Sequence, residues 1–161
     1  MIAQDLFKRT VVEHRGDVDR PGVTGGRVGA DKRRACAALE ALWKAWGYPS
    51  DLSLIEGDAE GYDRITGTWA DIRGFSHSKF SIDKDLDGDD DQAPKRRNQR
   101  MLDIGKPERL IIFPGGPGTR HMYSICHAAG VRCFEVAFTD IGGIEIHEWP
   151  ATPRKISRVI P

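Results

Sequence analysis

The sequence predicts an α/β fold: a doubly wound, mostly parallel sheet with helices on both faces and an extra C-terminal hairpin strand. Three observations carry this. Short apolar runs recur along the chain, and three of them pass directly into glycine-rich turns. Helical periodicity follows each turn, so strands alternate with helices, as a parallel sheet with crossover connections requires. The last runs, Val131 to Phe138 and Ile144 to Trp149, are separated only by a turn, which suits a hairpin.

The first element, residues 1–19, carries the apolar patch Thr10-Val11-Val12 and reads as an arm or an added edge strand. Pro21-Gly22-Val23-Thr24 is a weak strand candidate, since proline and glycine both disfavour a strand interior. It opens the first glycine turn, Gly25-Gly26-Arg27. Asp31 can cap the following helix, which places Ala35, Ala38, Leu39, Leu42 and Trp46 on one face before Gly47 ends it. Leu52 to Glu56 is the second strand, and Gly57 to Asp63 the second turn. The next helix is expected to bury Tyr62, Ile65, Trp69 and Ile72 and to stop at Gly74. Phe75 to Ile82 reads as a third strand.

The aspartate tract from Asp83 to Asp91 interrupts this rhythm and reads as a solvated acidic loop, 83–94, a lid or spacer. Pro94 suits the first turn of a helix through Arg97, Asn98, Met101 and Leu102. Arg109 to Phe113 is a continuous apolar run, fit for a strand buried on both faces, and it enters the third turn, Pro114-Gly115-Gly116-Pro117-Gly118-Thr119. The helix beyond repeats Met122, Ile125, Cys126 and Ala129 at helical spacing and stops at Gly130. The expected organisation is an arm (1–19), one α/β domain (20–149) and a mobile tail (150–161).

Equal numbers of basic and acidic residues, 24 of each, give no overall pull toward nucleic acid or membrane, so any electrostatic function must be local. No run of 18 apolar residues and no secretory pattern is present, so the expectation is a cytoplasmic protein without a membrane partner. Cys36, Cys126 and Cys133 form no CxxC pair and read as free, buried thiols.

Turns at the carboxyl ends of parallel strands are where doubly wound folds bind ligands, and the three glycine turns should converge there. The third also opens a helix, whose free N–H groups and macrodipole favour an anion. It is neither a Walker A loop nor GxGxxG. Arg97 and Asn98 are the residues of their helix expected to face the site, whereas Lys95, Arg96 and Arg100 read as a solvated basic face. Asp63 and Glu60 can accept hydrogen bonds from ribose hydroxyls or act as acid–base groups; Asp63 can equally serve as a helix-start residue. His121 is a further acid–base candidate. Asp83, Asp85, Asp87 and Asp91 imitate a calcium loop at positions one, three, five and nine, but Pro94 stands where a closing Glu is needed.

Val23-Thr24-Gly25-Gly26-Arg27, Glu56 to Asp63 with Trp69-Ala70, Arg97 to Leu102 and Phe113 to Thr119 together resemble the ordered motifs of the YspA-related SLOG family, within the SMF/DprA-LOG superfamily. The resemblance implies a Rossmann-like fold and a pocket for a nucleotide or nucleotide-derived ligand, NAD- or ADP-ribose-like or cyclic, in a family frequent in phages. The ligand-binding residues it points to are Gly25, Gly26, Arg27, Gly57, Asp63, Arg97, Asn98, Gly115, Gly116, Gly118 and Thr119. Related phosphoribohydrolases carry PGGxGTxxE with a catalytic Glu; that place here is Met122, which cannot move a proton, and Arg97 matches their Arg. The expected function is therefore binding of such a ligand, to sense or sequester it, with no required cofactor. The alternatives are hydrolysis of an N-glycosidic or phosphate bond and, more weakly, DNA contact through Lys95, Arg96 and Arg100. Trp43, Trp46 and Trp69 suit either a core or a face for a second copy.

Overall fold

A computed structural model of the protein describes residues 19–149 and, for its backbone, the strand Arg154–Val159. The arm expected at 1–19 lies outside the described residues except for Asp19. The α/β expectation holds: among the described residues seven strands form one sheet in the order β3-β2-β1-β4-β5-β6-β7. They are β1 (Pro21–Thr24), β2 (Ser53–Glu56), β3 (Ser76–Lys79), β4 (Arg109–Ile112), β5 (Arg132–Phe138), β6 (Ile144–Trp149) and β7 (Arg154–Val159). The first five run parallel, and β6 and β7 continue antiparallel from β5. Part of the segment expected to be a mobile tail is thus a strand, paired with β6.

The helices are α1 (Lys32–Ala45), α2 (Tyr62–Arg73), the short α3 (Lys84–Asp87), α4 (Ala93–Arg100) and α5 (Pro117–Ala128). Strand residues alternate between two cores, as the pleat demands. Val23, Leu54, Ile111 and Phe134 pack under α1 and α2 with Leu39, Leu42 and Trp69. Ile55, Leu110, Ile112 and Cys133 pack on the other face with Met101, Met122 and Cys126. Trp43 and Trp46 lie against the first core. Cys126 and Cys133 are buried and free; Cys36 is half-buried.

Despite its proline and glycine, β1 is a central strand. Pro21 is its first residue, and a Cβ on Gly22 would lie 3.2 Å from Pro107, so glycine admits the turn that leads into β4. Helix α2 is rotated from the expected face: Thr66, Gly67 and Ala70 centre its buried stripe and leave Ile72 78% exposed. The third strand is shorter than expected, ending at Lys79.

The aspartate tract is not an open solvated loop. Asp83 caps α3, accepting from the backbone N–H of Asp85 at 2.9 Å and Leu86 at 3.3 Å. Asp87 is buried and accepts two bonds from Arg100, at 3.1 and 2.7 Å, which hold its carboxyl below the usual carboxylate range. Helix α4 continues into a single π turn, Met101–Gly105, that sets Met101 into the second core.

From β1 the chain proceeds outward through β2 to β3, then returns to β4 on the opposite side of β1. Loops leaving β1 and β4 therefore diverge, and a crevice opens at their carboxyl ends.

Candidate functional site

The crevice holds a cavity of about 260 Å³ built by all three glycine turns. The turns are locked to one another through backbone. Gly26 N–H donates to Pro114 O at 2.8 Å, and Tyr62 N–H donates to Gly26 O at 3.4 Å. The Tyr62 ring stacks on Phe113 with centroids 4.6 Å apart, fixing the second turn over the third. At Gly115 a Cβ would overlap Thr119 Oγ1 and lie 2.8 Å from Gly26 N, so only glycine allows this approach.

Helix α5 begins at Pro117, inside the third turn. Pro117 has no N–H to leave unsatisfied, and Gly118 and Thr119 in the first turn line the cavity with Gly116. Backbone donors and the positive end of the helix dipole thus face the space.

Arg97 forms the opposite wall. It is buried and donates through Nη1 to Gly57 O and, at 3.2 Å, to Phe80 O, and through Nε to Asn98 Oδ1 at 3.1 Å. A Cβ on Gly57 would stand 2.6 Å from Arg97 Nη1, so the guanidinium keeps this position only beside a glycine. Asn98 in turn donates to Gly118 O at 3.2 Å, tying α4 to the first turn of α5. Asp63 is buried in the first turn of α2 and accepts from Ala59 N–H at 3.2 Å, while its Oδ1 has no hydrogen-bond partner among the described residues. Burial pushes its pKa up to about 6 against the lowering influence of Ala59 N–H and of Arg97.

The cavity thus brings together Gly25, Gly26, Arg27, Gly57, Asp63, Arg97, Asn98, Gly116, Gly118 and Thr119, with Gly115 packed directly behind. Glu60 does not join them: it is exposed, 3.9 Å from Arg64, on the rim of an adjoining cavity of about 400 Å³. Arg27, Gly57, Ala59 and Arg97 belong to both spaces. His121 also stands outside the cavity lining, with Nδ1 3.3 Å from Asn98 Nδ2; burial and nearby Lys95 lower its pKa. Met122 is fully buried in the second core.

Arg96 is engaged by Asp90 at 2.9 Å, and Arg100 by Asp87, so two of the three cations read as a basic face are spent on the acidic tract. Asp83, Asp85, Asp87 and Asp91 do not gather around a centre. No group of three or more His, Cys, Asp or Glu among the described residues is placed to hold a metal ion. No helix among them is long and apolar enough to cross a membrane. A larger cavity of about 560 Å³, between Asp31, Arg34 and Phe138 to Gly142, touches none of the glycine turns. Its Arg34 is already engaged by Asp31 at 2.9 Å and Thr139 O at 3.2 Å.

Sequence reasoning missed Glu56, a buried acid at the carboxyl end of β2. Its Oε2 accepts from Asp58 N–H at 2.5 Å, and burial pushes its pKa up to about 7. The available signal was an acidic residue closing an otherwise apolar strand.

Residues 23–86 match the model of the family YAcAr, described as the YspA, cpYpsA-related SLOG family. No curated protein and no solved structure matches the chain.

Proposed function

We propose that the cleft binds a phosphorylated nucleoside or NAD-derived molecule and holds it without turning it over. One observation carries this reading: the open N-terminus of α5 and the buried Arg97 guanidinium face one cavity at the strand-order switch point. The anion lies on the backbone of Gly116, Gly118 and Thr119, with Arg27 and Arg97 beside it, and Asp63 takes the sugar hydroxyls. The SLOG match over β1 to α3 supports a nucleotide-related role. Met122 in the place of the phosphoribohydrolase Glu, buried away from the cavity, supports retention over cleavage. A protein of this kind senses or sequesters a nucleotide signal in the compartment where it resides.

A second reading is kept by Asp63 alone, whose unpartnered oxygen and raised pKa suit an acid–base group in N-glycosidic or phosphate-bond hydrolysis. The test for both is a melting-temperature series with nucleoside monophosphates, cyclic nucleotides, NAD and ADP-ribose, followed by chromatography of each ligand after long incubation. Binding at 100 times Kd adds about 2.7 kcal/mol, which raises the melting temperature by several degrees. Stabilisation with intact ligand is expected. No stabilisation by any member refutes the binding reading, and turnover abolished by Asp63→Ala establishes the enzyme.

A further inference from the structure

The second glycine turn is held from three sides. Arg97 bonds to Gly57 O, Asp63 accepts from Ala59 N–H at 3.2 Å, and Glu56 accepts from Asp58 N–H at 2.5 Å. The first two bonds belong to residues that line the cavity, whereas Glu56 lies beneath it, 1% exposed. Asp58 has φ +55, a conformation that costs an L-residue energy and persists only when its surroundings enforce it. Glu56 holds the Asp58 backbone N–H, while Ser81 Oγ donates to Asp58 Oδ2 at 2.8 Å.

Its other oxygen, Oε1, faces His77 Nδ1 at 3.8 Å, and His77 Nε2 is 3.0 Å from Oδ1 of the exposed Asp71. Gly67 leaves the ring room: a Cβ there would stand 3.2 Å from His77 Cε1 and 3.3 Å from Nδ1, and the ring would have to shift. The charged and titratable groups around Glu56 are Asp58 of the turn, Arg64, Asp63 and Asp71 of α2, His77 and Lys79 of β3, and Arg97 of α4 across the turn. Among these, His77 is the cation-forming group facing Oε1, and it is held in place by a carboxylate in contact with solvent.

We infer that Glu56 is the positioning residue of the cleft: its carboxyl clamps the Gly57–Ala59 turn, to which Arg97 and Asp63 also bond, with His77 standing beside its second oxygen. A carboxylate accepts an N–H more strongly than a neutral carboxyl, so the turn is held tightest when Glu56 is charged and slackens as pH falls through its titration. Burial opposes the charged form most, and the nearby His77 ring works weakly in its favour.

The consequence for ligands rests on the proposed binding role; the clamp itself does not, and the experiment separates them. Amide spectra of the ¹⁵N-labelled full chain are recorded from pH 5.5 to 8.5 without ligand, then with AMP. The Asp58 amide proton is expected to move downfield as pH rises. That titration should vanish in Glu56→Gln and move to higher pH in His77→Gln. Glu56→Ala, which removes the acceptor, is expected to weaken AMP binding about fivefold, while Glu56→Gln restores most of it at low pH. An Asp58 amide that is constant with pH, or that titrates unchanged in Glu56→Gln, overturns the assignment. Should Glu56→Gln fail to fold, the wild-type Glu56 carboxyl ¹³C titration and the His77→Gln variant decide the same question. Asp58 titration without any AMP binding refutes the proposed function and leaves the clamp standing.

Discussion

Replacing Arg97 with Met removes a guanidinium that is only 8% exposed and donates to Gly57 O, Phe80 O and Asn98 Oδ1. It also removes the cation that lowers the buried Asp63 carboxyl. Losing one member of such a buried charged set costs about 3–5 kcal/mol, because its partners remain buried and unpaired. For a chain of this size that corresponds to a fall in melting temperature of roughly 6–20 °C. Part of the loss belongs to Asp63. Its pKa already stands at about 6 against an ordinary 3.8, a penalty on the charged form of about 3 kcal/mol at neutral pH, and it grows once Arg97 is gone. Adding Asp63→Asn to Arg97→Met should therefore recover about 1–3 kcal/mol at pH 8. At pH 5 Asp63 is already mostly neutral, so the coupling should vanish. Urea denaturation of both single variants and the double variant, followed by circular dichroism at both pH values, measures it. Additivity within about 0.5 kcal/mol at pH 8, or equal coupling at the two pH values, would refute the idea that these side chains form one electrostatic unit.

Gly115→Ala must displace Thr119 and strain the Gly26-to-Pro114 hydrogen bond, costing about 1–3 kcal/mol, whereas Gly118→Ala meets nothing within 4 Å and should leave urea stability unchanged or raised. Asp87→Ala breaks the buried contact with Arg100 and should cost about 3 kcal/mol, while Asp91→Ala, on an exposed residue of the same tract, should stay within about 0.5 kcal/mol by the same assay. Glu56 and Asp63 both have folded-state pKa values raised above their ordinary ones, to about 7 and about 6, so the native state holds more protons than the unfolded state across that interval. Stability should therefore fall as pH rises from about 5 to 8; greater urea resistance at pH 8 would contradict the burial of these carboxyls.

Much of this arrangement was legible in the residues because it rests on local pattern. Strand, glycine turn and helix recur in order, and the turns must meet wherever the strands run parallel. What could not be read depends on partners distant in sequence. The charge run from Asp83 to Asp91 has the composition of a solvated loop, yet Asp87 folds inward because Arg100, one helix later, supplies its counter-charge. Glu60 and Asp63 lie on one turn, but only Asp63 falls on the face of α2 that meets the sheet. Helical spacing puts Ile72 on that face, but Thr66, Gly67 and Ala70 let α2 sit close to the sheet and turn Ile72 outward. Glu56 was hidden for a related reason: its role comes from the backbone of Asp58 and the ring of His77 on a neighbouring strand.

The central claim, that this cleft holds a nucleotide-derived anion, is tested most directly by titrating the ¹⁵N-labelled chain with AMP and ADP-ribose. Shifts concentrated at the amides of Gly25, Gly26, Gly116, Gly118 and Thr119, saturating with ligand and lost in Arg97→Met, are the expected result. Unchanged amides at those positions, or shifts centred instead on the cavity between Asp31 and Gly142, would contradict it.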